Sequence, residues 1–118
     1  MKALLEPIKE IARFDELFRD LKKGTAGVTV ISGCLESQKA HMIAGLSEDV
    51  PVRLLIAENE LKAKELYEDY RLYDAETLYY PAKDLIFYQA DIHGNLLIRQ
   101  RLQVIQALLE RKVFTIIT

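Results

Sequence analysis

The chain has 118 residues, half of them hydrophobic, which is enough for one core and short for two. Its 16 basic and 18 acidic side chains are intermixed, so the balance argues against a module whose affinity rests on neutralising phosphates, and direct nucleic-acid binding by this chain is not expected. One cysteine and two histidines give neither an intrachain disulfide nor metal-ligand spacing, and no apolar run approaches the ~20 residues that cross a bilayer. Glu6, Lys9 and Glu10 interrupt the N-terminus before a secretory leader could form, so the expectation is a cytoplasmic domain without membrane contact.

Ile8, Ile11, Phe14, Phe18 and Leu21 recur at three- and four-residue intervals and predict one amphipathic helix over Pro7 to Leu21, with Leu17 widening its stripe and Gly24 stopping it. Val28-Thr29-Val30-Ile31 predicts a buried first strand. A helix follows from near Ser37, placing Ala40, Ile43 and Ala44 on one face. The next strand runs from Val52 to Ala57 behind Pro51, and Asn59 is placed to cap a helix that turns Ala63, Leu66, Tyr67 and Tyr70 inward.

Thr77 to Tyr80 predicts a third strand, stopped by Pro81, and residues 82–94 show no clean period. A long helix over Asn95 to Arg111 carries Ile98, Leu102, Ile105 and Leu109 as its apolar stripe, with Leu97, Val104 and Leu108 beside it, and Val113 to Ile117 forms the last strand. Short apolar strands alternating with helices give an α/β fold: a three-layer, mainly parallel sheet with an additional N-terminal helix. The expected organisation is a helical arm over residues 1–24 and an α/β lobe over residues 25–118. A strand at the very end of the sequence reads as a domain cut from a longer polypeptide.

Ligands of open α/β sheets approach the carboxyl ends of the strands, which here points to the turn from Gly33 to Ala40. A phosphate-binding loop has glycine, four variable residues, glycine, lysine and then serine or threonine. Gly33 and Lys39 match, but Gln38 stands where the second glycine would be, and Ala40 stands where a hydroxyl would hold magnesium. Glu36 adds negative charge inside the cradle. These vestigial positions predict no phosphoryl transfer, no catalytic residue, no metal and no cofactor for this chain; the alternative is a residual nucleotide-binding or ATPase domain.

Other residues favour blander roles. Asp91 and His93 could pair a carboxylate with an imidazole, yet no nucleophile beyond Cys34 accompanies them, and His41 reads as structural or solvent-facing. Tyr67, Tyr70, Tyr73, Tyr79, Tyr80, Phe87 and Tyr88 give an aromatic middle whose spacing fits core packing, with a protein-facing patch as the second reading and a base-stacking platform as the weakest.

The run from Ser32 to Ala40 resembles the nonfunctional phosphate loop in the N-terminal module of the bacterial transcription-repair coupling factors (Mfd). Ala57-Glu58-Asn59-Glu60 with Leu66-Tyr67-Glu68-Asp69, the stretch from Pro81 to Tyr88, Asp91-Ile92-His93, Arg99 through Leu109 and the opening Leu5-Glu6-Pro7-Ile8-Lys9 are similar to that family in the same order, while Glu36 departs from the small residue expected there. The resemblance implies a UvrB-like lobe, a degenerate relative of a P-loop helicase lobe, inside a protein that displaces RNA polymerase stalled at DNA damage and recruits UvrA for nucleotide excision repair. It further implies that ATP and Mg2+ serve motor domains elsewhere in that protein, which translocates on DNA. This chain would then be a noncatalytic scaffold packed against adjacent domains.

Overall fold

The computed structural model describes residues 2–24, 27–82, 91–110 and 115–118. The chain divides into two units, Met1–Pro51 and Val52–Thr118. It is an α/β protein: a helical first unit is followed by a second unit built on a parallel sheet.

In the first unit, α1 (Lys2–Leu5) runs into a 3-10 helix (Glu6–Glu10), followed by α2 (Phe14–Lys22) and α3 (Glu36–Leu46). The single helix expected over Pro7 to Leu21 is therefore broken. Ile11 is extended, and Arg13 adopts the left-handed region at φ 69° before α2 begins. The break has a packing reason. Ile8 and Phe14, six residues apart, would lie about 120° apart around a continuous helix, yet both are buried against Leu46 in one cluster with Leu17, Phe18 and Met42 around it. Ile11, which the expected stripe would bury, is exposed instead. Phe14 and Phe18 stack with centroids 6.0 Å apart, and Lys22 lies over Phe18 while its Nζ bonds Asp49 at 2.8 Å. Gly24 ends the segment as expected, left-handed at φ 64°, with its amide donating to Leu21 O.

The expected strand at Val28 to Ile31 does not form. Residues 27–32 carry no regular structure, and Val28 and Val30 are 95% and 84% exposed. β-branched residues favour a strand only when a neighbouring ladder and a packed face are supplied. Neither is present here among the described residues.

The second unit contains β1 (Arg53–Leu55), α4 (Glu60–Tyr70), β2 (Leu78–Tyr79), α5 (Asp91–Leu109) and β3 (Thr115–Ile117). The order β1-β3-β2 is parallel throughout, with Arg53, Leu54 and Leu55 beside Thr115, Ile116 and Ile117, and Leu78 and Tyr79 beside Ile116 and Ile117. Asn59 caps α4 as expected, its Oδ1 accepting from Lys62 N at 2.9 Å.

Alternation along the strands assigns the two faces. Leu78 and Tyr80 pack with Ile116, Val104 and Ala107 beneath α5, while Tyr79, on the opposite side, meets Tyr67 of α4 at 5.8 Å. The sheet of this unit thus lies between one helix on each face.

Helix α5 departs from expectation in two ways. It begins at Asp91, so residues 91–94 are helical where an irregular connection was expected; residues 83–90, the rest of that connection, and residues 111–114, with Val113 of the last strand, lie outside the described residues. Only part of its broad apolar stripe covers the sheet: Val104 is buried, whereas Ile98, Leu102, Ile105 and Leu109 face solvent. On β1, Leu54 lies on the α5 side of the sheet beside Ile116, and it is exposed, as are the flanking Val52 and Ile56.

The first unit offers a test of its close packing. A Cβ on Gly45 would lie 2.7 Å from Ile8 Cγ2 and 3.5 Å from Phe14 Cε2. Alanine gains up to ~1 kcal/mol of helix propensity, but the γ-methyl of a buried β-branched residue has little room to move, and overpacking costs about 1–3 kcal/mol. Gly45→Ala is expected to lower stability by about 1–2 kcal/mol in urea denaturation, and an unchanged or raised midpoint would contradict this packing.

Candidate functional site

The turn into α3 and the start of that helix hold Gly33, Gln38, Lys39 and Ala40. Gly33 takes the left-handed conformation at φ 79°, and α3 begins three residues later with Leu35 as its N-cap. Leucine has no acceptor, so the cap is one-sided: Gln38 reaches back and its Oε1 accepts from Leu35 N at 3.3 Å, while Gln38 N donates to Leu35 O at 2.9 Å. Lys39 Nζ bonds Glu36 Oε1 at 2.6 Å, one turn along the same helix. Ala40 is buried.

Of the four vestigial positions, then, Gly33 shapes the turn, Gln38 caps the helix, Lys39 pairs with Glu36 and Ala40 packs inward. Glu36 sits in the first turn, where a carboxylate complements the positive end of the helix dipole. A phosphate would have to share that position with it. Cys34 is a free, partly buried thiol in this turn.

His41 is engaged away from the turn: because a carbonyl can only accept, its Nε2 donates to Leu4 O, at 2.7 Å, tying α3 to α1. The Asp91 and His93 side chains, together with Phe87 and Tyr88, lie outside the described residues. Among the described residues no group of three or more His, Cys, Asp or Glu side chains could hold a metal ion, and no helix is long and apolar enough to cross a membrane.

The aromatic residues of the second unit pack into its framework. Tyr70 is buried and its ring lies 6.4 Å from that of Tyr73; Tyr67 contacts Tyr79, with the Arg71 guanidinium 5.3 Å above the Tyr67 ring. Arg101 on α5 donates from Nε to the Tyr80 hydroxyl at 2.9 Å and lies 4.6 Å from its ring centroid. Burial, followed by the nearby Glu60 carboxylate, raises the Tyr79 phenol above its ordinary value, and Lys64 opposes the shift. Among the described residues these aromatic rings engage one another and neighbouring arginines.

A polar cluster that sequence reasoning missed lies at the amino ends of the strands in the second unit. Thr115 Oγ1 donates to Asp74 Oδ2 at 2.7 Å and accepts from Arg53 Nη1 at 3.1 Å, while Arg53 and Asp74 approach to 3.6 Å with both side chains largely covered. Thr77 precedes β2 and, by the register, lies beside Thr115. Its Oγ1 is buried without a hydrogen-bond partner. The one available signal was Arg53 itself, a lone charge in an apolar strand, which a half-buried site tolerates only with a partner. The cluster occupies the amino ends of the strands, away from the carboxyl ends where open α/β sheets bind ligands. It is a tie between strands.

Comparison with protein-family models, with curated proteins and with solved structures found no match to this chain.

The two threonines should respond oppositely to the same change. Thr115→Val removes two hydrogen bonds and leaves a charged pair short of a partner, for an expected loss of about 1–3 kcal/mol. Thr77→Val removes an unpartnered hydroxyl at nearly constant volume, and is expected to be neutral or slightly stabilising. Urea denaturation of the two variants checks this ordering; equal losses would contradict it.

Proposed function

We propose that the chain is a noncatalytic structural and interaction lobe of a transcription-repair coupling factor, the class of protein that couples removal of stalled RNA polymerase to nucleotide excision repair. The observation that carries the noncatalytic part is the use of positions 38 and 40: the Gln38 side chain caps α3 and the Ala40 methyl is buried, so neither a wrapping glycine nor a magnesium ligand is available. The repair assignment rests on the ordered resemblance from Leu5 to Leu109, which also motivates reading the sheet as a degenerate P-loop helicase lobe.

In this reading the chain works in the cytoplasm as a support. Its partners are adjacent domains of the same protein, and the exposed apolar residues Leu54 on β1 and Val52 and Ile56 beside it suit such packing. The intact factor would contact UvrA, RNA polymerase and DNA, with ATP and Mg2+ used by its motor domains. The alternative, a residual nucleotide site, draws on the left-handed Gly33 and on Lys39, whose exposed pairing with Glu36 is weak enough to exchange for a phosphate.

Titration with magnesium–ATP, followed by NMR at the amides of residues 33–40, separates the two. No localised shift at millimolar nucleotide is expected; saturable shifts there would overturn the noncatalytic reading and restore the alternative. The repair assignment has its own test. Cells lacking the protein are expected to lose the faster repair of transcribed strands after ultraviolet damage, and an unchanged strand bias would refute it.

A further inference from the structure

Helix α5 is apolar on two sides, and only one of them serves the sheet. The covered side centres on Val104, with Leu97, Gln100, Arg101 and Ala107 partly covered around it. The bare side is formed by Ile98, Leu102, Ile105 and Leu109, exposed to 56%, 58%, 43% and 80%. At 3.6 residues per turn these four lie about 100–160° around the helix from Val104, so they cannot reach the sheet. Their spacing of four, three and four residues is the alternation of a helix-pairing seam, in which each side chain seats between residues of a facing helix.

The polar rim of the seam identifies what faces it. Arg99, Gln103, Gln106 and Glu110 are exposed and lie along one flank of the stripe, with the positive charge at one end and the negative charge at the other. Gln106 Nε2 already donates to Glu110 Oε1 at 2.8 Å, which holds that carboxylate at the rim. A second α5 laid antiparallel, about a two-fold axis passing between Leu102 and Ile105, keeps each flank against its own copy. Ile98 then faces Leu109, and Leu102 faces Ile105. Along the axis Arg99 comes within about 3 Å of the level of Glu110 of the second copy, and the two glutamines meet between them.

We propose that this face of α5 is a self-association surface, and that its occupant is a second copy of the chain in an antiparallel, two-fold arrangement. The inference stands on α5 alone and is independent of the repair assignment. A parallel pairing would instead set this flank against the opposite one, which carries Leu97, Arg101 and Leu108 and offers Arg99 no carboxylate. The seam covers three turns, roughly 16 Å, so the contact is small and association is weak, with half-dimerisation expected at roughly 100 µM.

Sedimentation equilibrium on the full chain from about 10 µM to 1 mM tests the proposal. The weight-average mass is expected to rise from that of the monomer toward twice that value. Leu102→Glu, at an exposed site where circular dichroism should be unchanged, is expected to keep the chain monomeric across the range. Arg99→Glu and Glu110→Arg should each weaken association several-fold, and the double exchange should restore it to within about twofold of the parent. A chain that remains monomeric at about 1 mM would overturn the proposal, as would a dimer that survives Leu102→Glu. A double exchange no stronger than the single variants would overturn the antiparallel two-fold arrangement and assign the stripe to another occupant.

Discussion

β3 is the strand on which the second unit depends, because among the described strands it is the one bonded on both edges, with all three of its residues buried. Thr115, Ile116 and Ile117 are all buried, so this strand cannot alternate between apolar and polar in the way of a half-exposed strand. Its two isoleucines serve different neighbours, Ile116 the α5 side and Ile117 the α4 side. At its start the strand needs a polar residue whose hydrogen bonds are met, and Thr115 meets them with two groups far away in sequence, Asp74 and Arg53. Backbone bonds extend the pairing past the carboxyl end, where Ala57 N donates to Thr118 O, Thr118 N to Leu55 O and Tyr80 N to Ile117 O. A ladder of two or three residues is a small source of stability, so the packed helices and this polar tie decide whether the sheet persists.

Legibility from sequence follows the same division between local and non-local causes. The α4 cap was readable because an asparagine side chain and an amide three residues on are enough to make it. β1, β2 and the described part of β3 were readable as short apolar runs between helical segments, and their parallel direction follows from helical crossovers. The break between the 3-10 helix and α2 was not readable, since the interval pattern from Ile8 to Leu21 fits one helix; only the demand that Ile8 and Phe14 reach the same cluster breaks it. Val28 to Ile31 has the composition of a strand, but composition does not supply a neighbour. The Arg53–Asp74–Thr115 cluster joins residues up to 62 positions apart and left a trace at Arg53 alone.

α5 shows the same limit within a single helix. Periodicity reveals that Ile98, Leu102, Ile105 and Leu109 share a face, and that Leu97, Val104 and Leu108 lie beside it. It says nothing about which face the sheet takes. The sheet takes the smaller set, with Val104 and Ala107 lying close over Ile116, Leu78 and Tyr80, while Arg101 reaches the Tyr80 hydroxyl from the same side. Small residues at the contact allow the helix to approach the strands closely, and the bulkier aliphatic row remains outside. A helix apolar on two sides belongs to the interior of something larger than one sheet and one helix layer.

The turn before α3 shows why a match of residue types is weaker than a match of geometry. The Lys39–Glu36 contact is short, at 2.6 Å, but both side chains are about half exposed. Such pairs contribute between nothing and about 1 kcal/mol, too little to exclude a multiply charged phosphate by themselves. The residues at positions 38 and 40 bear on the question more directly. Position 38 holds a glutamine and not a glycine, and its side-chain oxygen is drawn back to Leu35 N. At position 40 a methyl group offers magnesium nothing, however the lysine moves. Lys39 therefore stands beside neither a glycine at 38 nor a hydroxyl at 40, and Glu36 on the same helix is the partner it contacts.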